Sequence, residues 1–294
     1  MHFNGPIIRP QTDADSVFIE VTVGCTHNSC TFCNFYEDYP FRVAPISQVE
    51  EDLKEAAMMY PHAKRAWASG GNPFALSTKK LEELAKLFKK YLPEANIATY
   101  ARINDFYQKS VEDIRYLKSL GIDDIMIGIE SGDDEVLEHV KKGYTAADIV
   151  RECKKLDEAG MKYRMIYLGG LGGRGTGVQN AMNSAKIINQ IHPSYMILTS
   201  VSVLPGTELY NEMQAGKFEE ASEKERIEEF RTLIANLNNK ITVDSQTASS
   251  SVYFKANLPE DKDELVAKLD KTLENFTNEQ EKLMHTRRAS MRSV

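Results

Sequence analysis

Val17-Phe18-Ile19-Glu20-Val21-Thr22-Val23-Gly24-Cys25-Thr26-His27-Asn28-Ser29-Cys30-Thr31-Phe32-Cys33 is the stretch on which the reading of the fold turns. Its first seven residues are apolar and β-branched, the pattern of a buried strand. The loop leaving that strand holds three of the chain's four cysteines, spaced by four residues and then by two. Thiolates are soft ligands suited to iron–sulfur clusters or zinc. A cluster of four irons ordinarily takes four of them, so three leave one iron open to another ligand.

Other uses of this loop fit less well. A zinc knuckle needs a fourth ligand; His27 lies too close to Cys25 for tetrahedral spacing, and His62 is far off. A redox pair Cys30-x-x-Cys33 would open a helix in a βαβ unit without a third cysteine. A disulfide staple does not suit a chain of 294 residues whose start, Met1-His2-Phe3-Asn4-Gly5-Pro6, lacks the regions of a secretory signal.

Hydrophobic content of 42% and charged content of 27% are those of an ordinary globular protein able to bury a sizeable core. The net charge of −7 argues against a nucleic-acid partner held by charge. No apolar run reaches membrane-spanning length. The expectation is a cytoplasmic protein in a reducing, oxygen-poor setting, with no membrane partner.

Outward from the cysteine loop, strand and helix signals alternate. Residues 1–16, with Pro6 and Pro10, read as an extended arm. Helices are expected over 46–59, 78–91, 111–120, 133–142, 146–159 and about 178–190. Strands are expected over 64–68, 96–101, 124–130, 163–168 and 195–203. Six parallel strands with intervening helices give either an incomplete TIM-like barrel or a doubly wound sheet. The cysteine loop and the glycine-rich loops all fall at the C-terminal strand ends, where such barrels gather their chemistry. Beyond Gly216 the alternation breaks: helices are expected over 223–237 and 261–276, with Ser251 to Lys255 as an edge strand. The polar tail Arg287-Arg288-Ala289-Ser290-Met291-Arg292 reads as disordered rather than functional, with a tail folding over the cavity mouth as the alternative. The division expected is an arm at 1–16, a barrel at 17–216 and an α-rich extension at 217–294.

A strand, a cysteine loop ending in Phe32-Cys33, then Arg42 and a helix resemble the opening of a radical S-adenosylmethionine (radical SAM) enzyme. The resemblance covers about residues 15–212 and selects the partial (β/α)6 TIM-like barrel. It implies a [4Fe–4S] cluster held by Cys25, Cys30 and Cys33, with S-adenosylmethionine (SAM) on the remaining iron. The usual spacing in that family is three residues then two; four then two is a variant of some branches.

Further motifs follow from the same resemblance. Gly70-Gly71-Asn72 stands where relatives have Gly-Gly-Glu, the edge that binds SAM's ammonium group. Asn72 can accept a hydrogen bond there but brings no charge. Gly128-Ile129-Glu130-Ser131-Gly132 and Val140-Lys141-Lys142-Gly143 resemble the branch holding oxygen-independent coproporphyrinogen oxidases and the Elp3- and MiaB-like tRNA-modifying cores. By that match Glu130 is a polar SAM contact, and Lys142 meets the SAM carboxylate. Arg102, at a strand end, is a candidate for cofactor or substrate. Phe32 and the backbone near Val203, ahead of the Leu204-Pro205-Gly206-Thr207 turn, would face the adenine. Each has a plain structural alternative: a βα turn for the glycines, a solvated helix end for Lys142, a surface ion pair for Arg102, core packing for Phe32. Cys153 reads as a small buried hydrophobe on a helix.

Gly170-Leu171-Gly172-Gly173-Arg174-Gly175 matches the dinucleotide-binding pattern, which leaves an oxidoreductase as a second reading. No Asp or Glu lies between Glu158 and Glu208, so the ribose-binding acid that pattern needs is missing. The function expected is reductive cleavage of SAM to a 5′-deoxyadenosyl radical that abstracts hydrogen from a small molecule, with a reducing partner such as flavodoxin or ferredoxin. No further catalytic side chain is assigned. The alternatives are modification of tRNA or a peptide, and a non-catalytic iron–sulfur electron carrier.

Overall fold

A computed structural model describes residues 1–291. In chain order its strands and helices are β1 (Val17–Glu20), β2 (Thr22–Val23), β3 (Arg42–Val43), α1 (Ile46–Met59), β4 (Arg65–Ser69), α2 (Thr78–Tyr91), β5 (Asn96–Ala101) and α3 (Val111–Ser119). They continue with β6 (Ile122–Glu130), α4 (Asp134–His139), α5 (Ala146–Ala159), β7 (Lys162–Gly169), α6 (Gly177–Ile188) and β8 (Tyr195–Ser200). The last are α7 (Glu208–Gln214), α8 (Glu223–Asn236), β9 (Ile241–Asp244), β10 (Lys255–Leu258), α9 (Lys262–Glu274) and α10 (Asn278–Ala289). The class is α/β. Hydrogen-bonded strand order is β1-β4-β5-β6-β7-β8-β9-β10, with β2 and β3 in a separate ribbon.

The chain divides into two compact units. Unit 1 comprises Met1–Asn28, Phe35–Ile127 and Lys154–Arg164; unit 2 comprises Ser29–Asn34, Gly128–Cys153 and the chain from Met165 onward.

In unit 1, β1 pairs in parallel with β4 (Val17 opposite Ala66), β4 with β5 (Arg65 opposite Asn96), and β5 with β6 (Ala98 opposite Asp124). Phe18 stacks on Trp67 at 5.6 Å, and Trp67 tilts against Tyr100 at 4.6 Å. The expected first strand, 17–23, is divided: Thr22 and Val23 turn aside to pair antiparallel with Arg42 and Val43. Helix starts follow local chemistry. Ser110 and Asp113 cap α3 reciprocally, at 3.1 and 2.9 Å.

Charge closes the starts of these strands. Asp13 accepts from Arg164 Nη1 at 2.7 Å, and Arg164 Nε donates to Asp124 at 3.1 Å. Arg65 pairs with both acids, so each carboxylate meets both guanidiniums. Burial alone would raise the Asp13 carboxyl; hydrogen bonds from Arg164 and Thr12, with the charges of Arg164 and Arg65, outweigh it and hold it low. The preceding arm is anchored throughout. Glu20 accepts from Asn4 N and Nδ2 at 2.8 Å each and from Gly5 N at 3.2 Å, and Tyr100 donates to the Ile8 carbonyl at 3.0 Å.

In unit 2 the chain beyond Gly216 holds more strand than the sequence suggests. β9 lies parallel to β8, with Met196 opposite Val243, and β10 returns antiparallel to β9. The expected edge strand at Ser251 begins only at Lys255, because the hydroxyls before it are engaged elsewhere: Ser250 donates to the Leu198 carbonyl, and Ser251 bonds Glu223. The expected disordered tail is a correction. Arg287 and Arg288 lie in α10, and Arg288 is buried against Glu223 with two bonds of 2.7 Å. Arg292 lies outside the described residues.

Candidate cofactor site

Unit 1 supplies Cys25 and the turns around it. Gly24 accepts from Gly71 N at 3.1 Å. A Cβ on Gly71 would stand 2.3 Å from the Gly24 oxygen and 2.9 Å from Cys25 Cα, so only glycine lets the two backbones approach this closely. Gly70 has φ +150, and a Cβ there would strike the Thr22 hydroxyl at 2.0 Å. The Thr22 and Ser69 hydroxyls beside this turn are buried without a hydrogen-bond partner among the described residues.

Asn72, fully buried, ties the cysteine loop down. Its Oδ1 accepts from Thr26 N at 3.0 Å, and its Nδ2 donates to Thr26 Oγ1 at 2.7 Å and to the Asp105 carboxylate at 3.0 and 3.1 Å. Asp105 also accepts from Arg102 N at 2.8 Å, at the end of β5. Arg102 itself is buried, with 9% exposure, so a surface ion pair is not its setting. Lys109 turns its ammonium to two carbonyls, Phe74 O at 2.8 Å and Asp105 O at 3.0 Å, rather than to the carboxylate. Burial pushes the Asp105 carboxyl up to about 6, against the opposing pull of the Arg102 and Asn72 hydrogen bonds and the Arg102 and Lys109 charges.

Unit 2 supplies Cys30 and Cys33, with Cys33 N donating to Cys30 O at 3.1 Å. Thr31, one of the two residues between them, is strapped on both sides: Thr31 N donates to Val140 O at 3.1 Å, and Thr31 O accepts from Leu209 N at 2.8 Å. Phe32 and Val203 pack, partly buried, on one apolar cluster that includes Val136, Leu168, Val201 and Phe218. Glu130 closes β6 at φ +62, a left-handed conformation uncommon for a residue with a side chain. Lys142 Nζ lies 3.0 Å from Glu130 Oε1, 5.7 Å from the centre of the Phe32 ring and 5.9 Å from that of Tyr144. Phe32, Glu130, Lys142 and Val203 are thus gathered within one unit. Lys142 is buried and paired, not a solvated helix end.

The four cysteines stand as thiols: Cys25 and Cys30 half-buried, Cys33 exposed, Cys153 buried. Among the described residues no three His, Cys, Asp or Glu are grouped as for a metal ion. The donor set and its seat nevertheless suit a thiolate-held cluster. The three thiols fall within nine residues of one loop, and each part of that loop is hydrogen-bonded within its own unit: Thr26 to Asn72, and Thr31 to Val140 and Leu209.

The Gly170–Gly175 loop does not offer its amides to a phosphate. Gly170 N donates to the Glu229 carboxylate at 2.7 Å, Gly175 N to Glu225 at 2.9 Å, and Arg174 N to the Glu219 carbonyl at 2.8 Å. The buried Glu229 and half-buried Glu225 carboxylates thus take two of the amides that phosphate binding would need. A cavity of about 510 Å³ opens at the starts of β1 and β4, between residues 11–17 and 60–65, and holds none of the predicted site residues.

The chain belongs to the radical SAM superfamily, whose model matches residues 19–182. Membership carries with it a [4Fe–4S] cluster and SAM as cofactors. The chain is similar to the heme chaperone HemW of Bacillus subtilis, 22% identical over 72% of this chain and 57% of that protein. It also resembles a tRNA uridine(34) acetyltransferase of Methanocaldococcus infernus, 26% identical over 40% of this chain and 22% of that protein. The chain thus spans just over half of the first relative and under a quarter of the second. Among solved structures it resembles the radical SAM enzyme coproporphyrinogen III oxidase (HemN) of Escherichia coli, with a TM-score of 0.55, 16% identity and coverage of 75% of this chain and 51% of that one. The archaeal M. infernus Elp3 gives a TM-score of 0.53 at 17% identity, covering 87% of this chain and 63% of that one. These likenesses show the fold, the α/β partial TIM barrel. Among the described residues no helix is long and apolar enough to cross a membrane.

Sequence reasoning missed Asp105, which the Asn72 amide reaches from 33 positions away. Its local signal is an acid four residues past the end of β5 at Ala101, in Ile103-Asn104-Asp105-Phe106.

Proposed function

We propose that the chain is a radical SAM enzyme in which Cys25, Cys30 and Cys33 hold the cluster and a small molecule is the substrate. The observation that carries this reading is the cysteine loop itself, a three-thiol segment inside the family-matched region and pinned to the Gly70-Gly71-Asn72 turn. When bound, the cluster and SAM together supply a 5′-deoxyadenosyl radical able to take hydrogen from an unactivated carbon. The chain's own residues bind and orient. Gly70 and Gly71 keep one edge clear for a close backbone approach, with Asn72 and Asp105 beneath it. Glu130 accepts ribose hydroxyls and Lys142 meets the SAM carboxylate; the two neutralise one another until the ligand divides them. Phe32 and the Val203 segment face the adenine. A flavodoxin- or ferredoxin-like reductant delivers the electron.

The test is anaerobic reconstitution, reduction with dithionite, and measurement of 5′-deoxyadenosine. The wild-type chain should carry about four irons and release 5′-deoxyadenosine, and Cys30→Ser should abolish both. Zinc in place of iron in the wild type would overturn the reading. The similarity to HemW favours a second reading, a tetrapyrrole as the small molecule. Hemin titration, read by its absorption band, separates that from other metabolites. Salt-sensitive RNA binding would instead favour the tRNA-modifying alternative.

A further inference from the structure

Helix α10 lies well beyond the family-matched segment, yet it reaches the end of β8. Arg288, with 6% exposure, grips Glu223 in a fork of two 2.7 Å bonds. It also donates to Ser251 Oγ at 3.1 Å and to the Val201 carbonyl at 3.3 Å. Arg226, wholly buried, donates to the same Val201 carbonyl at 2.9 Å, and to Gly169 O at 3.2 Å and Ala221 O at 3.1 Å. Next along the chain, Ser202 Oγ donates to Met291 Sδ at 3.4 Å. Glu281 of the same helix accepts from Glu223 N at 2.8 Å and Lys224 N at 3.1 Å, covering the N-terminus of α8.

Two guanidiniums on one backbone carbonyl is an arrangement of high electrostatic cost. Both cations must be buried, and burial lowers Arg226 to about 10, aided by the charge of Arg288. The outcome is that Val201–Val203 cannot shift without breaking bonds to α8 and α10 together. That segment carries Val203, which, like Phe32, packs against the shared apolar cluster.

We infer that Arg288 is a positioning residue for the nucleotide end of the site: α10 latches the strand end Val201–Val203, and SAM affinity depends on that latch. The inference rests on the proposed function, because it takes the Val203 segment to face SAM. An Arg fork is geometrically specific, so lysine, a single point charge, should restore only part of the effect.

The experiment compares wild type, Arg288→Met, Arg288→Lys and Arg231→Met. The last breaks the half-exposed Arg231–Asp270 pair between α8 and α9 and serves as a structural control. SAM binding to the reconstituted, iron-loaded protein is measured by calorimetry, and amide hydrogen exchange of residues 197–207 is measured without SAM. Arg288→Met should raise the SAM Kd roughly tenfold or more at unchanged iron content, and speed exchange in 197–207. Arg288→Lys should lie between it and wild type, and remains informative if the methionine variant does not fold. Arg231→Met should move neither readout. Exchange in 197–207 unchanged in the Arg288 variants, or a Kd raised equally by Arg231→Met, overturns the latch. A wild-type chain that ignores SAM, while Arg288→Met still loosens 197–207, overturns the proposed function instead.

Discussion

The two ends of the parallel strands in unit 1 treat a buried carboxylate in opposite ways. At the strand starts, Asp13 and Asp124 each meet Arg65 and Arg164, and the set is neutral. Asp13 is held low there although it is buried. At the strand ends, Asp105 receives an amide side chain and a backbone N–H, while Lys109 spends its donors on carbonyls. Burial then prevails, and Asp105 rises to about 6. One residue type, buried in both places, shifts both ways: Asp105 is the more deeply enclosed and has no cation bonded to its carboxylate, whereas Asp13 has two. The starts are built to be finished, whereas the ends keep polar groups in reserve, as barrel folds do where ligands bind.

Breaking the finished end should have the largest effect on stability. Arg164→Met leaves two buried acids sharing one arginine and should cost about 3–5 kcal/mol in chemical denaturation. A loss below about 1 kcal/mol would show that the charge set is not a unit. SAM affinity of the folded fraction should not change.

The pH response sharpens the contrast. A carboxyl raised from 3.8 to about 6 stabilises the native state below its unfolded value, and that contribution is lost as pH rises through about 6. A shift of about two units makes it up to about 3 kcal/mol. Asp105→Asn should therefore flatten the fall in stability between pH 4 and 6.5, monitored by thermal unfolding across that range. Asp13, held low, has the opposite sign: its contribution is present above 3.8 and lost as pH falls through its lower folded value. Arg164→Met should shrink that acid-limb loss; an unchanged acid limb would speak against the compensation described.

Smaller effects belong to the ligand side. Lys142→Met should weaken SAM binding roughly tenfold, about 1.4 kcal/mol, and, because it leaves the Glu130 carboxylate without its cation, should lower the melting temperature as well; a melting shift at unaltered affinity would make the pair structural. Thr22→Val removes a buried hydroxyl that has no hydrogen-bond partner among the described residues, so apo stability should move by no more than about 0.5 kcal/mol in either direction.

What was legible in the sequence followed from local rules. The helices at 46–59 and 78–91, the strand at 96–101 and the cysteine loop were all written in periodicity, caps and spacing. The charge set was not, because Asp13, Arg65, Asp124 and Arg164 are single residues scattered across the chain and brought together only by strand register. β9 and β10, four residues each, carry too little pattern to stand out, and Arg288 sits in a tail whose composition resembles a solvated one. Phe32, Glu130, Lys142 and Val203 were nominated through family resemblance, and their proximity emerged from the fold. Whether they touch SAM is what the binding experiments decide.

The approach of Gly71 to Cys25 bears on attempts at miniaturisation. A synthetic peptide copying residues 24–33 would own all three loop thiols yet lack the floor under Cys25, since the glycine pair and the Asn72 amide arrive from a distant part of the chain. Such a mimic would have to be cyclised or grafted together with the 69–73 turn before its sulfurs met metal in a fixed order.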